Sequence, residues 1–311
     1  MSVKGEPTMG EPQLVVVKCG GNSDVNAAAI CADVAGLVKD GHRLVVVHGG
    51  SAEIDRLADE LDVPQRRLVS PDGVSARHTD EATLEVVTLA LAGSVKPKLV
   101  SELLGRGIPA VGLTGLDGGL VLTRRKKGQK AVVDGRTVVV RDDHSGRIES
   151  VRGELIATLL SHGYVPVVSP PAADEHGEPV NADADRIAAA LAAELDADRL
   201  VLLTGAPGVL ADPDDADSLL PDCAVERAGA PGEFARGGMA LKLVAAREAL
   251  LGGVGQVTVA DGRGEGAVGE ALRGAGTEVR LTPPQEAGPE TRPTLPQHPD
   301  QEQELPGTDR E

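Results

Sequence analysis

Short runs of β-branched and aliphatic residues alternate along the chain with longer segments in which apolar residues recur at helical spacing. The runs predict strands at Leu14–Val17, Leu44–Val47, Ala110–Leu113, Val165–Val168, Leu200–Leu203 and Val257–Val259. The longer segments predict helices at Val25–Lys39, Ala52–Leu61, Asp80–Leu91, Lys98–Arg106, Gly153–His162, Asp185–Leu195 and Leu241–Leu251. Strands that alternate with helices are typical of βα units, so the pattern predicts an α/β fold with a mainly parallel sheet.

Three segments depart from this alternation. The β runs Lys130–Val133 and Thr137–Val140 flank an Asp-Gly dipeptide and predict a β-hairpin. From Thr282 to Glu311 the chain is rich in Pro, Glu, Gln and Asp, and its only leucines are at positions 295 and 305. Such a segment buries too little apolar surface to order itself. We therefore expect a disordered acidic tail over 282–311, and a flexible N-terminus over 1–13.

The composition narrows the functional classes. The chain has 311 residues, 41% hydrophobic and 25% charged, and a formal net charge of −17. Its aromatic residues are Tyr164 and Phe234, too few for stacking on single-stranded nucleic acid, and the negative charge opposes duplex binding. No stretch approaches the roughly 18 apolar residues of a membrane span, residues 1–13 lack a signal-peptide core, and the three cysteines lack metal-ligand spacing. We expect a cytoplasmic protein that binds neither nucleic acid nor membrane and has no metal-ligand cluster.

Two predicted strands end in glycine turns directly before predicted helices. The first turn carries Lys18, Gly20 and Gly21, and the second reads His48-Gly49-Gly50-Ser51. Glycine lets backbone amides approach a phosphate, and the carboxyl ends of parallel strands gather at one edge of a sheet. Each turn alone also fits ordinary turn chemistry, but the two together predict one anion-binding site.

Two further patterns place charged side chains near the starts of predicted helices. Asn181, Asp183 and Asp185 alternate ahead of an alanine-rich helix, where an Asp side chain also serves as an ordinary helix cap. Lys242 follows the Gly237-Gly238-Met239 turn by one helical turn, a spacing that a surface lysine would show equally well. Neither pattern alone distinguishes a functional site from ordinary helix chemistry.

Taken in order, the motifs KxGG, HGG, NxxxD and GGMxxK resemble the amino acid kinase family, and its acetylglutamate kinase branch in particular. The resemblance runs from Leu14 to about Leu281 and includes Arg77-His-Thr79-Asp80, Tyr164–Val168 and Leu203–Leu210. It implies a three-layer α/β sandwich with an acceptor half over 14–170 and a nucleotide half over 171–281. It also implies transfer of the γ-phosphoryl group of ATP, with Mg²⁺, to a carboxylate, and a homodimer or larger homo-oligomer.

The resemblance implies a role for each matched residue. Lys18 and Lys242 would stabilise charge on the transferring phosphoryl group, and Asp185 would orient both lysines. The acceptor would be bound by Gly49, Gly50, Ser51, Arg77 and Asn181, and ATP by Gly20, Gly21, Thr204, Gly208, Gly238 and Met239. The chemistry agrees, because a side-chain carboxylate with a pKa of about 4.3 is ionised at neutral pH and needs no general base.

Departures from this branch point to a narrower group within it. Ser51 stands where acetylglutamate kinases usually have a third glycine, and Gly205 where an aspartate is common. The segments His48–Glu53 and Gly112–Lys130 are instead similar to kinases of lysine biosynthesis that act on an amino-group carrier protein. Their acceptor is an aminoadipyl or glutamyl group attached to the C-terminal glutamate of a small acidic protein.

A cluster of basic residues supports an acidic protein as substrate. Between positions 124 and 141 the chain has seven basic residues and one acidic residue, Asp134. We expect the carrier to be attracted electrostatically to this hairpin, although a solvated hairpin without a partner is the simpler interpretation. The carrier-docking residues would be Arg124, Arg125, Lys126, Lys127 and Lys130.

Two alternatives for the function of the protein remain open. One is a kinase for free N-acetylglutamate. The other is a nucleotide-binding regulator that would not need Lys18, Lys242 and Asp185.

Overall fold

The computed structural model describes residues 11–21, 25–69, 75–125, 127–133, 136–229 and 237–283. Its strands are β1 Leu14–Cys19, β2 Arg43–His48, β3 Arg67–Val69, β4 Ser75–Arg77, β5 Ala110–Gly115, β6 Val121–Arg125, β7 Gln129–Val133, β8 Arg136–Val140, β9 Gly146–Val151, β10 Val165–Ala173, β11 Pro179–Val180, β12 Arg199–Thr204, β13 Asp222–Val225, β14 Gln256–Asp261 and β15 Thr277–Leu281. Its α-helices are α1 Ala27–Lys39, α2 Ser51–Glu60, α3 Glu81–Thr88, α4 Lys96–Gly105, α5 Glu154–Ser161, α6 Ala184–Glu194, α7 Gly237–Leu251 and α8 Ala267–Leu272. A π-helical segment, Leu89–Val95, joins α3 to α4.

The strands of the described residues form one eleven-stranded sheet and two small antiparallel ribbons. The order of the sheet is β13-β15-β14-β12-β1-β2-β10-β6-β9, and β5 and β11 also pair with β10. At its centre β14, β12, β1, β2 and β10 run parallel, and every residue of β1 is buried. Continuous aliphatic runs favour this arrangement because helices cover both faces of a parallel sheet. The predicted α/β fold with a mainly parallel sheet is confirmed.

Helices cover both faces of the sheet and complete a three-layer arrangement. Side chains alternate between the faces along β1. Val15 and Val17 pack in the cluster that includes buried residues of α1, α4 and α8. Leu14 and Val16 pack with residues of α5, α6 and α7. Each face of the sheet therefore has its own apolar core.

The helical segment before β5 has no break where the sequence predicts one. Separate helices over Asp80–Leu91 and Lys98–Arg106 were expected, but the chain stays helical from Glu81 to Gly105, with the π-helical segment in the middle. Pro97 falls just after the π-helical segment, where the regular i→i−4 hydrogen bonds are already interrupted, so its missing backbone N–H costs little. The proline therefore does not end the helix.

Several other expectations concern the ends and the division of the chain. The predicted hairpin is present as β7 and β8, although residues 134–135 lie outside the described residues. The predicted N-terminal segment is described only from residue 11, and the predicted tail only to residue 283. The predicted boundary between the two halves falls within β10, and the division remains a prediction. Among the described residues, no helix is long and apolar enough to cross a membrane.

Candidate active site

The site is built where β1 and β2 end and where α6 and α7 begin. Because side chains alternate along a strand, Lys18 shares a face of β1 with Leu14 and Val16. That face is covered by α6, which carries Asp185 in its first turn, and by α7, which carries Lys242. Asp183 caps α6 by accepting a hydrogen bond from the amide of Arg186 at 3.0 Å. The capping interpretation is thus right for Asp183, and it leaves Asp185 available to the site.

Asp185 lies between the two predicted catalytic lysines. Its Oδ1 is 3.0 Å from Lys18 Nζ and 3.0 Å from Lys242 Nζ, and its Oδ2 is 3.2 Å from Lys242 Nζ. All three side chains are buried. The structure therefore brings together residues 18, 185 and 242, and it excludes the interpretation of Lys242 as an exposed surface lysine.

The charged groups of this cluster shift one another's pKa values. Burial raises the pKa of Asp185, but the attraction of Lys18 and Lys242 outweighs it, so the pKa lies below its usual value. Burial likewise lowers the pKa of Lys18, and the carboxylates of Asp185 and Asp183 reverse the shift, so its pKa is raised. For Lys242 burial outweighs Asp185, and its pKa is lowered. Two ammonium groups are thus held beside the carboxylates of Asp185 and Asp183, at fixed positions from which they can bind an anionic substrate.

The two glycine turns touch each other beside this cluster. Ser51 Oγ donates to the Gly21 carbonyl at 2.9 Å, and the amide of Ala52 donates to the same carbonyl at 3.1 Å. A Cβ atom on Gly21 would lie 2.7 Å from the amide nitrogen of Gly50, so only glycine permits this approach. The N-terminus of α2 begins at Ser51, and helix N-termini favour anions. The arrangement forms a backbone cradle for phosphate or carboxylate oxygens.

Most of the predicted nucleotide-binding residues lie near the first glycine turn or Lys242, whereas Gly208 packs against β15. Thr204 ends β12 next to the first turn, since a Cβ atom on Gly20 would lie 3.3 Å from the Leu203 carbonyl oxygen. Gly238 is exposed and Met239 half-buried in the first turn of α7, ahead of Lys242. Gly208 is buried, and the amide of the next residue, Val209, donates to Thr277 Oγ1. The packing on β15 thus gives the loop at Gly208 a structural role that the sequence does not reveal.

Arg77 and Asn181, the predicted acceptor-binding pair, are linked through Thr79. Asn181 Nδ2 donates to Thr79 Oγ1 at 3.1 Å, and Thr79 Oγ1 donates to the Arg77 carbonyl at 3.4 Å. The amide of Thr79 in turn donates to the buried carboxylate of Asp143 at 3.0 Å. Asp143 thus fixes the backbone at Thr79. The sequence does not reveal this contact, because Asp143 lies 64 residues from Thr79 and belongs to no motif.

The basic hairpin lies close to the acceptor side. Strand β7 packs against β3, whose ribbon partner β4 ends at Arg77. Arg124 pairs with Glu149 at 2.6 Å, and Arg125 Nε donates to the Asp143 carbonyl. Among the described side chains between positions 124 and 141, the exposed basic residues are Arg124, Lys127, Lys130, Arg136 and Arg141, while the side chain of Lys126 lies outside the described residues. Arg124 and Arg125 therefore have local partners, and the lysines are the better candidates for docking.

Comparison with known proteins identifies the family of the chain. The family model described as the amino acid kinase family matches residues 13–261. A LysW-aminoadipate kinase of Thermus thermophilus is 43% identical over 86% of this chain and all of its own length. An acetylglutamate kinase of a Synechococcus strain is 37% identical over 88% of this chain and 84% of its own length.

A solved structure adds the fold. The N-acetylglutamate synthase of Neisseria gonorrhoeae superposes on this chain with a TM-score of 0.65 and is 24% identical in sequence. The superposition covers 86% of this chain and 59% of the synthase. At this identity the likeness concerns the fold alone. The Thermus and Synechococcus relatives are kinases, so the predicted carboxyl-directed kinase activity, and the use of ATP that it entails, are confirmed. With its motifs gathered at one sheet edge and the family model covering most of its length, the chain belongs to the amino acid kinase family.

Proposed function

We propose that this protein uses ATP to phosphorylate the side-chain carboxylate of an aminoadipyl or glutamyl group carried on a small acidic amino-group carrier protein, giving an acyl phosphate. The observation that carries the proposal is the buried cluster of Lys18, Asp185 and Lys242 beside two touching glycine turns. Phosphoryl transfer needs positioning and charge neutralisation more than covalent chemistry, and this site supplies both.

The cluster supports transfer in the following way. Lys18 and Lys242 place two positive charges where negative charge develops on the transferring phosphoryl group, and Asp185 holds both in place. Gly20 and Gly21 bring backbone amides to the phosphates, and Thr204, Gly208, Gly238 and Met239 would contribute the remaining nucleotide contacts. Preorganised charges of this kind require no rearrangement during the reaction.

Mg²⁺ would bind through the nucleotide rather than through a protein cage. Among the described residues, no group of three or more His, Cys, Asp or Glu side chains could hold a metal ion. An ion held mainly by phosphate oxygens and water fits that finding, because Mg²⁺ keeps several waters. When bound, it would neutralise charge on the β- and γ-phosphates.

The acceptor would lie on the side of the glycine turns opposite to the nucleotide. The amides of Gly49 and Gly50, together with Ser51, would hold the reacting carboxylate. Arg77 and Asn181 would hold the amino-acid end. Thr79 links the Asn181 side chain to the backbone of Arg77, and the Arg77 guanidinium would exchange Asp55 for the acceptor. No general base is required, because the nucleophile is already ionised at neutral pH.

Two observations support a carrier-borne acceptor over a free one. The Thermus relative is named for an acceptor bearing LysW, and it is the more similar of the two kinases compared above. The exposed lysines of β7 and the preceding loop lie on the ribbon next to β3 and β4, where they would attract an acidic carrier towards Arg77. Phosphorylation of free N-acetylglutamate is the second candidate, which the acetylglutamate kinase relative favours. The presence of all three cluster residues argues against a purely regulatory role.

We also propose a cytoplasmic location and a homo-oligomeric state. The free, buried thiols of Cys19, Cys31 and Cys223 fit a reducing compartment. The oligomer rests on the family resemblance alone, and size-exclusion chromatography with light scattering would measure it.

Hydroxylamine trapping of the acyl phosphate tests the proposal. The purified protein is supplied with ATP, Mg²⁺ and one of three acceptors: aminoadipyl carrier, glutamyl carrier or free N-acetylglutamate. We expect hydroxamate from a carrier-borne acceptor at a kcat/KM far above that for N-acetylglutamate. Efficient turnover of N-acetylglutamate and none of either carrier would establish the second candidate instead.

A further inference from the structure

A lysine occupies the buried face of α4, where the rest of that face is aliphatic. Lys96, Leu99 and Leu103 follow one another at helical spacing and are 6%, 4% and 0% exposed. Lysine is almost never this buried unless it is paired. The apolar face thus ends in a cation at the N-terminus of α4. Because a helix that precedes a parallel strand begins at the carboxyl edge of the sheet, Lys96 lies at that edge.

The structure makes room for this side chain but gives its ammonium group no partner. The stem of Lys96 lies on Gly112 of β5, where a Cβ atom would be 2.9 Å from Lys96 Cδ. Within the described part of the chain, nothing hydrogen-bonds or ion-pairs with Lys96 Nζ. Asp117 acts on it only from a distance, and the Asp117 carboxylate already accepts from the amide and hydroxyl of Thr114. Burial lowers the pKa of Lys96 to about 8, and Asp117 only partly opposes this.

Lys96 is coupled to the acceptor side of the candidate site. The π-helical segment Leu89–Val95 leads directly into it and packs Leu91 and Val95 against Gly50. The charge of Lys96 also contributes to the lowered pKa of His48, the residue before Gly49. One helical segment therefore positions both the second glycine turn and the Lys96 ammonium. A π-helical segment inside an α-helix is frequent at functional sites.

Arg77 and Lys98 differ from Lys96 in having carboxylate partners. Arg77 Nη2 lies 2.7 Å from Asp55 Oδ1, and Lys98 Nζ lies 3.7 Å from Glu53 Oε1. The stem of Lys96 is buried and its ammonium group has no protein partner, so an anionic ligand would gain a charge-assisted hydrogen bond there. The reacting carboxylate already has the amides of the glycine turn. Lys96 is thus suited to a different carboxylate of the same acceptor.

We propose that Lys96 is a further acceptor-binding residue, whose ammonium group binds a carboxylate of the acceptor other than the one that is phosphorylated. This inference rests on the proposed function. A carrier-borne acceptor offers two such groups: the α-carboxylate of the aminoadipyl or glutamyl group, and the free carboxylate of the carrier's C-terminal residue. Free N-acetylglutamate offers only the first.

Acceptor kinetics of four proteins test this assignment: the wild type, Lys96→Met, Lys96→Arg and the control Lys98→Met. Lys98 is 72% exposed and lies two residues further along the same helix. Each protein is assayed with the carrier-borne acceptor, with the same acceptor amidated at the carrier's C-terminus, and with N-acetylglutamate. Circular dichroism and melting temperature verify that each variant is folded.

We expect Lys96→Met to raise KM for the carrier-borne acceptor about 10- to 100-fold, the loss typical of one charge-assisted hydrogen bond, with kcat close to the wild-type value. Lys96→Arg should recover part of the loss, and Lys98→Met should show none. If the wild type loses affinity on amidation and Lys96→Met does not, the carrier's terminal carboxylate is the ligand. If Lys96→Met weakens every acceptor alike, the ligand is the α-carboxylate.

Two results would overturn the inference, and they are distinguishable. An unchanged KM in folded Lys96→Met, with an active wild type, would reject the role of Lys96 and leave the proposed function standing. A wild type that phosphorylates none of the three acceptors would reject the proposed function and the role of Lys96 with it.

Discussion

Asp185 is the residue on which the electrostatics of the site depend. A carboxylate buried this deeply is costly to desolvate, and it stays ionised here because ammonium groups lie 3.0 Å from it on two sides. Such a cluster is a poor way to gain stability, since apolar residues of similar volume usually serve as well or better. Its value lies in holding two cations at fixed positions next to a phosphate-binding turn. This is the arrangement that phosphoryl transfer requires.

Replacing either lysine by methionine should lower the rate and leave the fold intact. In Lys18→Met or Lys242→Met, Asp185 keeps one ammonium partner, while the transferring phosphoryl group loses one preorganised charge. Such a loss typically costs about 10²–10³ in kcat. Steady-state hydroxamate assays measure the rate, and circular dichroism monitors the fold. Near-normal turnover in both variants would refute the catalytic role of the lysines.

His48 should make the protein sensitive to acid. Burial lowers the pKa of His48 to about 4 from 6.5, although the bond to the Gly49 carbonyl opposes the shift. Between these two pH values the unfolded chain binds a proton at His48 that the folded protein does not. The free energy of unfolding should therefore fall as the pH drops from about 6.5 to about 4, by on the order of 3 kcal/mol from this residue.

Urea titrations across that pH range, on the wild type and on His48→Gln, measure this contribution. The variant should lose less stability on acidification than the wild type does. His162→Gln, at an exposed histidine at the end of α5, provides the matched control. Identical acid dependence in the wild type and His48→Gln would show that His48 titrates normally.

At the scale of elements, the sequence predicts best what the central sheet buries. Strands β1, β2, β10, β12 and β14 can be predicted from their aliphatic runs, because a buried parallel strand is apolar on both faces. The ribbon of β3 and β4 and the peripheral strands β6, β9, β13 and β15 escape prediction. They are short or polar on one side, and only tertiary pairing makes them strands.

The π-helical segment shows why some site residues could not be predicted. The pattern before Pro97 suggests a helix end, yet the helix continues and turns Lys96 onto its buried face. Lys96 and Asp143 belong to no motif, and their surroundings are assembled by residues distant in sequence. In contrast, Lys18, Asp185 and Lys242 were predictable because their motifs, taken in order, resemble those of the amino acid kinase family.

The hairpin of β7 and β8 allows a test of carrier docking at the level of one element. Arg124 and Arg125 are poor choices for mutation, because they hold Glu149 and the Asp143 carbonyl. Reversing the exposed Lys127, Lys130 and Arg136 to glutamate should lower kcat/KM for the carrier-borne acceptor about 10-fold or more. Added salt should lower the wild-type value and change the variant much less, because ionic screening removes the attraction.

A matched variant controls for the change in net charge. Lys39, Arg43 and Arg227 are exposed, and Lys39 and Arg43 lie at the amino-terminal edge of the sheet, where α1 ends and β2 begins. Their reversal to glutamate changes the total charge equally and should affect the carrier-borne acceptor far less. Equal losses in the two triple variants would mean that net charge, and not the hairpin, governs docking.

The whole molecule gathers motifs that are far apart in sequence. Lys18 and Lys242 are separated by more than two hundred residues, and they meet because β1 and β12 are neighbours in the sheet and α6 and α7 cover the same face. The order of the motifs pointed to this arrangement through a family resemblance. Distances, shared partners and the contact between the two glycine turns required the structure.

Intact-mass spectrometry of the carrier tests the central claim most directly. Carrier bearing an aminoadipyl or glutamyl group is incubated with the protein, ATP, Mg²⁺ and hydroxylamine, with Lys242→Met as the inactive control. We predict that the carrier gains the mass of a hydroxamate at its acceptor group in the wild-type reaction, and little or none in the control. An unmodified carrier, in a reaction where the same protein converts free N-acetylglutamate efficiently, would contradict the account.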